Sequence, residues 1–296
     1  MITWLIIPIF IIKTLLDNYC IFNGHLISVY EPSISFTNRA FRYGDALFET
    51  IRMANGKIMF LSDHVTRLKL GMTVLRMNLP AEFKTENFRQ LIQELLTQNN
   101  LKQNARIRFT VFRNEGGFYA PETNDISFLI EAEAIETKGY ELNQKGLWVD
   151  LYTDMRKQIN KLSNIKSTNA LFYVMAGLAK QSMNLDECLL INENSTVCES
   201  ISSNIFVVKN GTLFTPPLND GCVAGIMRKH ILNIAHEHKI LYFENHITMN
   251  TLMNGDELFL TNSIKGIQWV GQLKHKYFTN KSAQFFVDKL NLLTRD

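Results

Sequence analysis

The stretch VCESISSNIFVVKNGTLFTPPLNDGCVAGIMR, residues 197–228, carries three structural signals in a row. Asn210-Gly211 separates two strand-like runs, and this residue pair tolerates the positive φ angles of a two-residue type I′ hairpin turn. Glu199 stands just before the hairpin. Gly225 then precedes a segment with helical spacing, and a glycine at this place lets the backbone approach an anion. The stretch therefore predicts a hairpin followed by a helix with an accessible N-terminus.

Similar signals occur along the rest of the chain. Asn55-Gly56 lies between strand-like runs in ETIRMANGKIMFL, residues 49–61. Apolar residues at helical spacing predict helices at 63–79, 85–96, 169–183, from 225 onward and at 282–290. Further strands are predicted at ARIRFTVFR (105–113), DISFLIEAEA (125–134) and DELFLTN (256–262). These elements favour an α+β fold with a mixed or antiparallel sheet and flanking helices in each half.

The length of 296 residues suits two domains. The charged, aperiodic segment ETKGYELNQKG at 136–146 is the predicted interdomain linker, between a small domain at 19–135 and a larger one at 147–296. Residues 1–18 form an atypical apolar N-terminal extension. Its apolar run, MITWLIIPIFII, is too short to span a bilayer and lacks the features of a signal peptide. A misassigned start is the favoured explanation, and a genuine anchor or partner-binding segment is the alternative. A membrane partner is not expected.

Composition excludes several classes of function. Hydrophobic residues make up 46% and charged residues 20% of the chain, as in ordinary globular proteins. A net charge of +3 without a Lys/Arg-rich run argues against nucleic-acid binding, and suits a small anionic substrate. The four cysteines form no CxxC pair and no two histidines have zinc spacing, so no metal site is predicted. The four cysteines are expected to be reduced thiols, which favours a cytoplasmic protein.

A phosphorylated aldehyde cofactor needs three kinds of group. These are a lysine for a Schiff base, an acid that keeps the pyridine nitrogen protonated, and helix N–H groups with an arginine or hydroxyl for the phosphate. Lys166 stands among small polar residues in SNIKSTNAL, residues 163–171, and Glu199, Gly225 and Arg67 supply the other types. We expect Lys166 to be buried away from carboxylates, because they would hold its proton whereas burial lowers an amine pKa.

Taken in order, five segments resemble the class IV aminotransferase family of fold-type IV pyridoxal-phosphate enzymes. They are NRAFRYGDALFETIR (38–52), LSDHVTRL (61–68), NIKSTN (164–169), the stretch at 197–228 and ELFLTNSIKGI (257–267). The resemblance covers residues 21–270. It implies pyridoxal 5'-phosphate bound at the interface of two domains, usually in a homodimer.

The resemblance also implies roles for individual residues. Lys166 is implied to be the Schiff-base lysine that moves protons, Glu199 the partner of the pyridine nitrogen, and Arg67 the phosphate-binding arginine of the HxxRL motif. The remaining matches are the phosphate donors Ile226, Met227 and Ser263, and Asn169, which matches a position near the ring and equally suits a helix N-cap.

Three activities of the family have to be distinguished: branched-chain aminotransferase, D-amino-acid aminotransferase and 4-amino-4-deoxychorismate lyase. The K-x-x-N spacing after Lys166 resembles both D-amino-acid aminotransferases and 4-amino-4-deoxychorismate lyases, which release pyruvate and 4-aminobenzoate. The turn TNSIKG at 261–266 resembles the lyases. The loop NEGGFYAPETN at 114–124 lacks the Arg-x-His pair of D-amino-acid aminotransferases, and FET at 48–50 replaces the FEG of branched-chain enzymes. The lyase is therefore favoured. An aminotransferase using branched-chain or other amino acids with 2-oxoglutarate is the alternative, and a non-catalytic cofactor-binding protein is a third.

Substrate contacts are predicted where basic or hydroxyl groups fall near the matched motifs. A small, anionic, amino-acid-like substrate would suit any of them. Each also has an ordinary explanation as a strand or turn residue. The candidates are Arg42, Thr50, Arg113 and Lys265.

Overall fold

A computed structural model describes residues 18–31, 34–137 and 139–294 of the chain. Most of the predicted N-terminal extension, residues 1–17, lies outside the described residues. In the ranges given, the chain forms two β-sheets, each covered by helices. The α+β fold with a sheet in each half is therefore confirmed.

The first sheet is built entirely from antiparallel pairs, in the order β2-β1-β6-β5-β3-β4. Helices α2 and α3 cover one face, with the apolar core between them and the sheet. The strands are β1 (Tyr19–Phe22), β2 (His25–Ser28), β3 (Ala46–Ala54), β4 (Lys57–Ile58), β5 (Ala105–Arg113) and β6 (Ile126–Ala134). The helices are α1 (Arg39–Tyr43), α2 (Leu61–Val74) and α3 (Thr85–Gln98).

Strand β3 separates two environments, because successive side chains point to opposite faces. Leu47 and Ile51 enter the core beneath the helices. Phe48 and Thr50 point the other way, toward the second half of the chain. The register that achieves this is set by the predicted hairpin turn, in which Asn55 and Gly56 have φ angles of 52° and 79°.

The second sheet is mixed, in the order β12-β11-β10-β13-β14-β7-β8-β9, with β15 beside β14. The pairs β14–β7, β7–β8 and β11–β12 are parallel and the others antiparallel. Its strands are β7 (Leu147–Lys157), β8 (Glu187–Asn192), β9 (Val197–Ser200), β10 (Asn204–Lys209), β11 (Thr212–Thr215), β12 (Tyr242–Glu244), β13 (Glu257–Asn262), β14 (Gly266–Leu273) and β15 (Lys276–Tyr277). Its helices are α4 (Leu171–Ser182), α5 (Ile226–Glu237), α6 (Met249–Met253) and α7 (Lys281–Leu292).

Membrane and metal features are absent from the part of the chain that the structure describes. No helix there has both the length and the apolar character needed to cross a bilayer. No group of histidine, cysteine and acidic side chains there could hold a metal ion.

A buried arginine links the two sheets. Arg52 leaves β3 on the same face as Phe48, and its guanidinium donates to the carbonyls of Thr137, Gly139 and Ile264. These carbonyls belong to the segment between the sheets, which contains the predicted linker, and to the turn between β13 and β14. The guanidinium also lies 4.7 Å from the centre of the Tyr140 ring. Arg52 therefore fixes the linker and this turn against the first sheet.

We expect the substitution Arg52→Met to lower the free energy of unfolding by about 3 kcal/mol, because it leaves buried carbonyls without a donor. Urea denaturation followed by circular dichroism measures the change. Arg89→Met is the matched control, since Arg89 lies on α3 and forms an exposed ion pair with Glu86, and it should change stability by less than about 0.5 kcal/mol. Equal effects of the two substitutions would contradict the proposed role of Arg52.

Candidate active site

A cavity of about 400 Å³ lies between the two sheets. Its wall is made by the outer face of β3, the segment before α4, the end of β9 with the following serine-rich loop, the N-terminus of α5 and the turn after β13. The first half of the chain contributes β3, Arg67 of α2 and Arg106 of β5 to the wall, and the rest comes from the second half. The cavity thus lies between the two halves of the chain, and binding of the cofactor at this place stays a prediction.

The lysine segment pairs directly with β3. The Phe48 N–H donates to the Lys166 carbonyl at 2.9 Å, and the Thr168 N–H donates to the Ala46 carbonyl at 3.0 Å. The Thr168 hydroxyl adds a bond to the Gly44 carbonyl at 3.0 Å. These bonds fix the backbone of Lys166, so that its side chain enters the cavity with Nζ 4.5 Å from the centre of the Phe48 ring.

Lys166 has the pKa of an activated amine. Burial, and then the positive charge of Arg67, lower the pKa of Lys166 to about 8. The carboxylates of Glu49 and Glu199 lie near enough to act in the opposite direction. The expectation of surroundings without carboxylates was therefore wrong, but burial and the neighbouring arginine still prevail.

Glu199 is buried in the opposite wall and ionically paired. Its Oε1 accepts from the ammonium of Lys157, with which it forms a salt bridge, and from the Tyr173 hydroxyl at 2.8 Å. Its Oε2 accepts from the Val223 N–H at 2.8 Å. Only 3% of Glu199 is exposed, so it is not a solvated residue at the hairpin edge.

Arg67 is held by a second buried carboxylate. Its Nε donates to Oε1 of Glu49 at 2.8 Å, its Nη2 donates to Oε2 of Glu49, and its Nη1 donates to the Ala224 carbonyl at 2.9 Å. His64 donates from Nδ1 to Glu49 at 2.6 Å. Burial would raise the pKa of Glu49, but Arg67 and His64 lower it to about 2. An arginine has five N–H groups, so two of them remain for a ligand in the cavity.

The N-terminus of α5 supplies main-chain donors to the same cavity. Gly225 is the N-cap, and Ile226 and Met227 line the cavity at the start of the helix. The first N–H groups of a helix have no intrahelical acceptor and the helix dipole favours an anion there. A Cβ on Gly225 would lie 1.8 Å from Oδ1 of Asn204, so a larger residue there would displace the Asn204 side chain, which donates to the Val223 carbonyl.

Two buried hydroxyls in the lining also have no protein partner. Ser200 and Thr261 are almost fully buried, and their oxygens make no hydrogen bond within the described ranges. Unpaired hydroxyls are uncommon in protein interiors. Together with Arg67 and the α5 amides they match what a phosphate requires. Lys166 and Glu199 match what the aldehyde and the pyridine nitrogen require, so the residues present fit pyridoxal 5'-phosphate.

The other predicted residues divide into two groups. Thr50, Ser263 and Lys265 line the cavity together with the residues already described. Asn169 does not line it and is exposed, and the N-cap of α4 is Ala170, without a side-chain hydrogen bond. The helix begins later than the sequence suggested, which corrects the expectation that Asn169 is an N-cap.

Two arginines proposed for substrate contact lie elsewhere. Arg42 is on the exposed side of α1. Arg113 is buried at the end of β5, where it pairs with Asp45 at 2.9 Å and donates to the Leu75 carbonyl at 2.7 Å and to Asn124. Neither lines the cavity. We therefore assign Arg113 a structural role, as a correction of the prediction.

The sequence reasoning missed several groups near the cavity. Arg106 lines it, and Arg108 stacks on the Phe48 ring at 4.1 Å, because both project from β5 on the face that Thr50 and Phe48 share. The alternation in ARIRFTVFR contained this signal. The sequence contained no such signal for Lys157 and Tyr173, because their hydrogen bonds to Glu199 arise from the packing of β7 and α4.

Comparison with known proteins confirms the resemblance. The family described as amino-transferase class IV matches residues 46–273. A Methanocaldococcus jannaschii protein assigned as a branched-chain-amino-acid aminotransferase is 29% identical over 93% of this chain and 94% of its own. A D-alanine aminotransferase of Bacillus licheniformis is 27% identical over 82% of this chain and 84% of its own.

Solved structures agree on the fold. The branched-chain aminotransferase of Thermoproteus uzoniensis, crystallised with norvaline, superposes with a TM-score of 0.86 at 23% identity, over 94% of this chain and 96% of its own. A Legionella pneumophila protein assigned as a 4-amino-4-deoxychorismate lyase gives a TM-score of 0.79 at 26% identity, over 90% and 95%.

The reactivity of Lys166 in the cofactor-free protein should report its lowered pKa. Only a neutral amine reacts with acetic anhydride, so acetylation of Lys166 should rise with pH and reach half its maximum at a pH of about 8. A lysine with an ordinary pKa reaches half its maximum at about pH 10.4. Competitive labelling and mass spectrometry measure both. A Lys166 midpoint equal to that of exposed lysines would contradict the burial argument.

The substitution Gly225→Ala should weaken the binding of pyridoxal 5'-phosphate by at least about tenfold, because the added Cβ displaces Asn204 or the first turn of α5 from the phosphate. Titration of the cofactor-free protein, followed by absorbance, gives the dissociation constant. Gly177→Ala is the control, because nothing lies within 4 Å of a Cβ there. Unchanged affinity in Gly225→Ala would show that the α5 N-terminus does not hold the phosphate.

Proposed function

The chain belongs to the class IV aminotransferase family and is a pyridoxal 5'-phosphate enzyme, and we propose that it transfers amino groups between L-amino acids with apolar side chains and 2-oxoglutarate. The observation that carries the proposal is the cavity itself, where Lys166 and Glu199 face one space beside the Arg67 and α5 donors. The similarity to enzymes over most of the chain argues against the third possibility, a non-catalytic protein.

When bound, the cofactor draws electrons away from the substrate carbon that loses its proton. Lys166 is the residue that binds the cofactor aldehyde. Its Nζ, when free and neutral, would take the proton from the substrate Cα and return it elsewhere. A pKa of about 8 suits this exchange, because the amine can both accept and give a proton near neutral pH.

The cavity offers both apolar and basic surfaces to a substrate. Phe48 and Ile201 supply apolar wall, which suits an aliphatic side chain. Arg106, Lys265 and the Thr50 hydroxyl are the polar groups at the same cavity that suit carboxylates. The pairing of apolar wall with basic groups supports alternate binding of an aliphatic amino acid and of 2-oxoglutarate.

Transamination is favoured over the lyase reaction that the sequence first suggested. Branched-chain and D-alanine aminotransferases match the chain over most of its length. The missing Arg-x-His pair in the loop at 114–124 favours the L-amino acids. The lyase stands second, supported by the Legionella pneumophila structure and by Lys265 in the TNSIKG turn.

We also propose that the protein works as a homodimer. Helix α4 exposes a continuous apolar stripe at helical spacing, which is typical of a protein interface. The stripe consists of Leu171, Val174, Met175 and Leu178. A second copy of the chain would remove this surface from water, close to the segment that carries Lys166.

The proposed reaction is tested on purified protein saturated with cofactor. L-leucine should convert the bound cofactor to its amine form, and 2-oxoglutarate should reverse the conversion, with L-leucine preferred over D-alanine by about 100-fold in kcat/KM. Lys166→Ala is the control, and it should bind cofactor without converting it. Aminodeoxychorismate is supplied in parallel. Release of 4-aminobenzoate without conversion by any amino acid would overturn the proposal in favour of the lyase.

A further inference from the structure

Among the residues that the structure describes, the hydrogen bonds to Glu199 leave one acceptor direction unused. An ionised carboxylate accepts about four hydrogen bonds. Oε1 of Glu199 takes those of Lys157 and Tyr173, and Oε2 takes that of Val223. The free direction is therefore on Oε2, and Glu199 lines the cavity. Oε2 of Glu199 can therefore accept one further hydrogen bond from a donor in the cavity.

Lys157 is an unusual neighbour for this carboxylate. Only 9% of its side chain is exposed, and its ammonium is paired with Glu199 and lies 5.4 Å from the centre of the Tyr173 ring. A buried ion pair is weak evidence for stability, because apolar residues of similar volume often stabilise a fold equally well. Stability alone therefore does not explain why Lys157 is buried beside Glu199, and an effect on Glu199 itself is the remaining explanation.

We propose that Lys157 is a positioning residue, which keeps Glu199 ionised so that the proton between Glu199 and the pyridine nitrogen of the bound cofactor stays on the nitrogen. The ammonium touches Oε1, while the free acceptor direction is on Oε2. The cation is thus nearer to the carboxylate than to a donor placed in that direction. It stabilises the charged carboxylate more than it repels the protonated ring.

Tyr173 has a supporting part in the same arrangement. Burial and the neighbouring charge of Glu199 raise the pKa of Tyr173, so its hydroxyl keeps its proton and remains a donor. It orients Oε1 without adding charge. Removing this hydroxyl tests orientation alone, whereas removing the ammonium of Lys157 tests charge.

The proton position is measured directly. In protein loaded with cofactor labelled with 15N in the ring, protonation moves the ring-nitrogen resonance. Lys157→Met should move this resonance toward that of a neutral pyridine, while Lys157→Arg, which keeps the charge, and Lys161→Met, which removes an exposed lysine, should leave it in place. If Lys157→Met does not fold, Lys157→Gln keeps a donor without charge and should give the same shift.

Kinetics provide the second readout. In single-turnover experiments with a reacting amino acid, Lys157→Met should slow cofactor conversion by about 100-fold, with less than about fivefold change in cofactor affinity. Tyr173→Phe should slow it by less than about tenfold. Adding Lys157→Met to Glu199→Gln should lower the rate by less than about threefold further, because both act through one carboxylate.

Two results would overturn the inference that Lys157 keeps Glu199 ionised. An unchanged 15N resonance in folded Lys157→Met would overturn it and leave Lys157 a structural role. Independent, multiplicative losses in the double variant would also overturn it, because Lys157 would then act by another route. The 15N readout needs no substrate, so a failure of the proposed transamination is distinguishable from a failure of this inference.

Discussion

Two main-chain hydrogen bonds between β3 and the segment at 166–168 fix the position of Lys166, the residue proposed to bind the cofactor. They join the first sheet to the second half of the chain at this lysine. The same strand carries Glu49 on its core face and Phe48 on its cavity face. Because one strand serves both faces, the core of the first sheet and the wall of the cavity cannot shift independently. The relative positions of the cavity residues therefore depend on the register of β3.

Each of the two buried carboxylates near Lys166 is paired with its own cation. Arg67 pairs with Glu49, and Lys157 pairs with Glu199. Without these partners, two negative charges would raise the pKa of Lys166 and keep it protonated, and burying an unpaired carboxylate would cost several kcal/mol of stability. With them, burial is the largest influence on Lys166 and its pKa falls. The lysine thus depends on residues that lie in four different elements.

Sequence reasoning succeeded where the signal was local. The two Asn-Gly turns, the strand ARIRFTVFR and the glycine before α5 each have a short-range physical cause, and each is found at its predicted place. The candidate cofactor residues sit in ordered motifs, and all of them except Asn169 line one cavity. Arg113 misled because it resembled a cavity residue in sequence, whereas its partner Asp45 lies 68 positions away. Lys157 was missed for the same reason, since 42 positions separate it from Glu199.

The exposed Asn-Gly turns also bear on how the protein ages. An asparagine followed by glycine loses ammonia when the glycine nitrogen attacks the side-chain amide, and the product adds a methylene to the backbone. At Asn55-Gly56 the glycine N–H is held by the Gln103 carbonyl at 2.8 Å. In the part of the chain that the structure describes, the Gly211 amide has no such acceptor. Stored protein should accordingly accumulate damage first in the hairpin between β10 and β11, at the far end of the strand that begins with Asn204, and not in the hairpin beside Arg52.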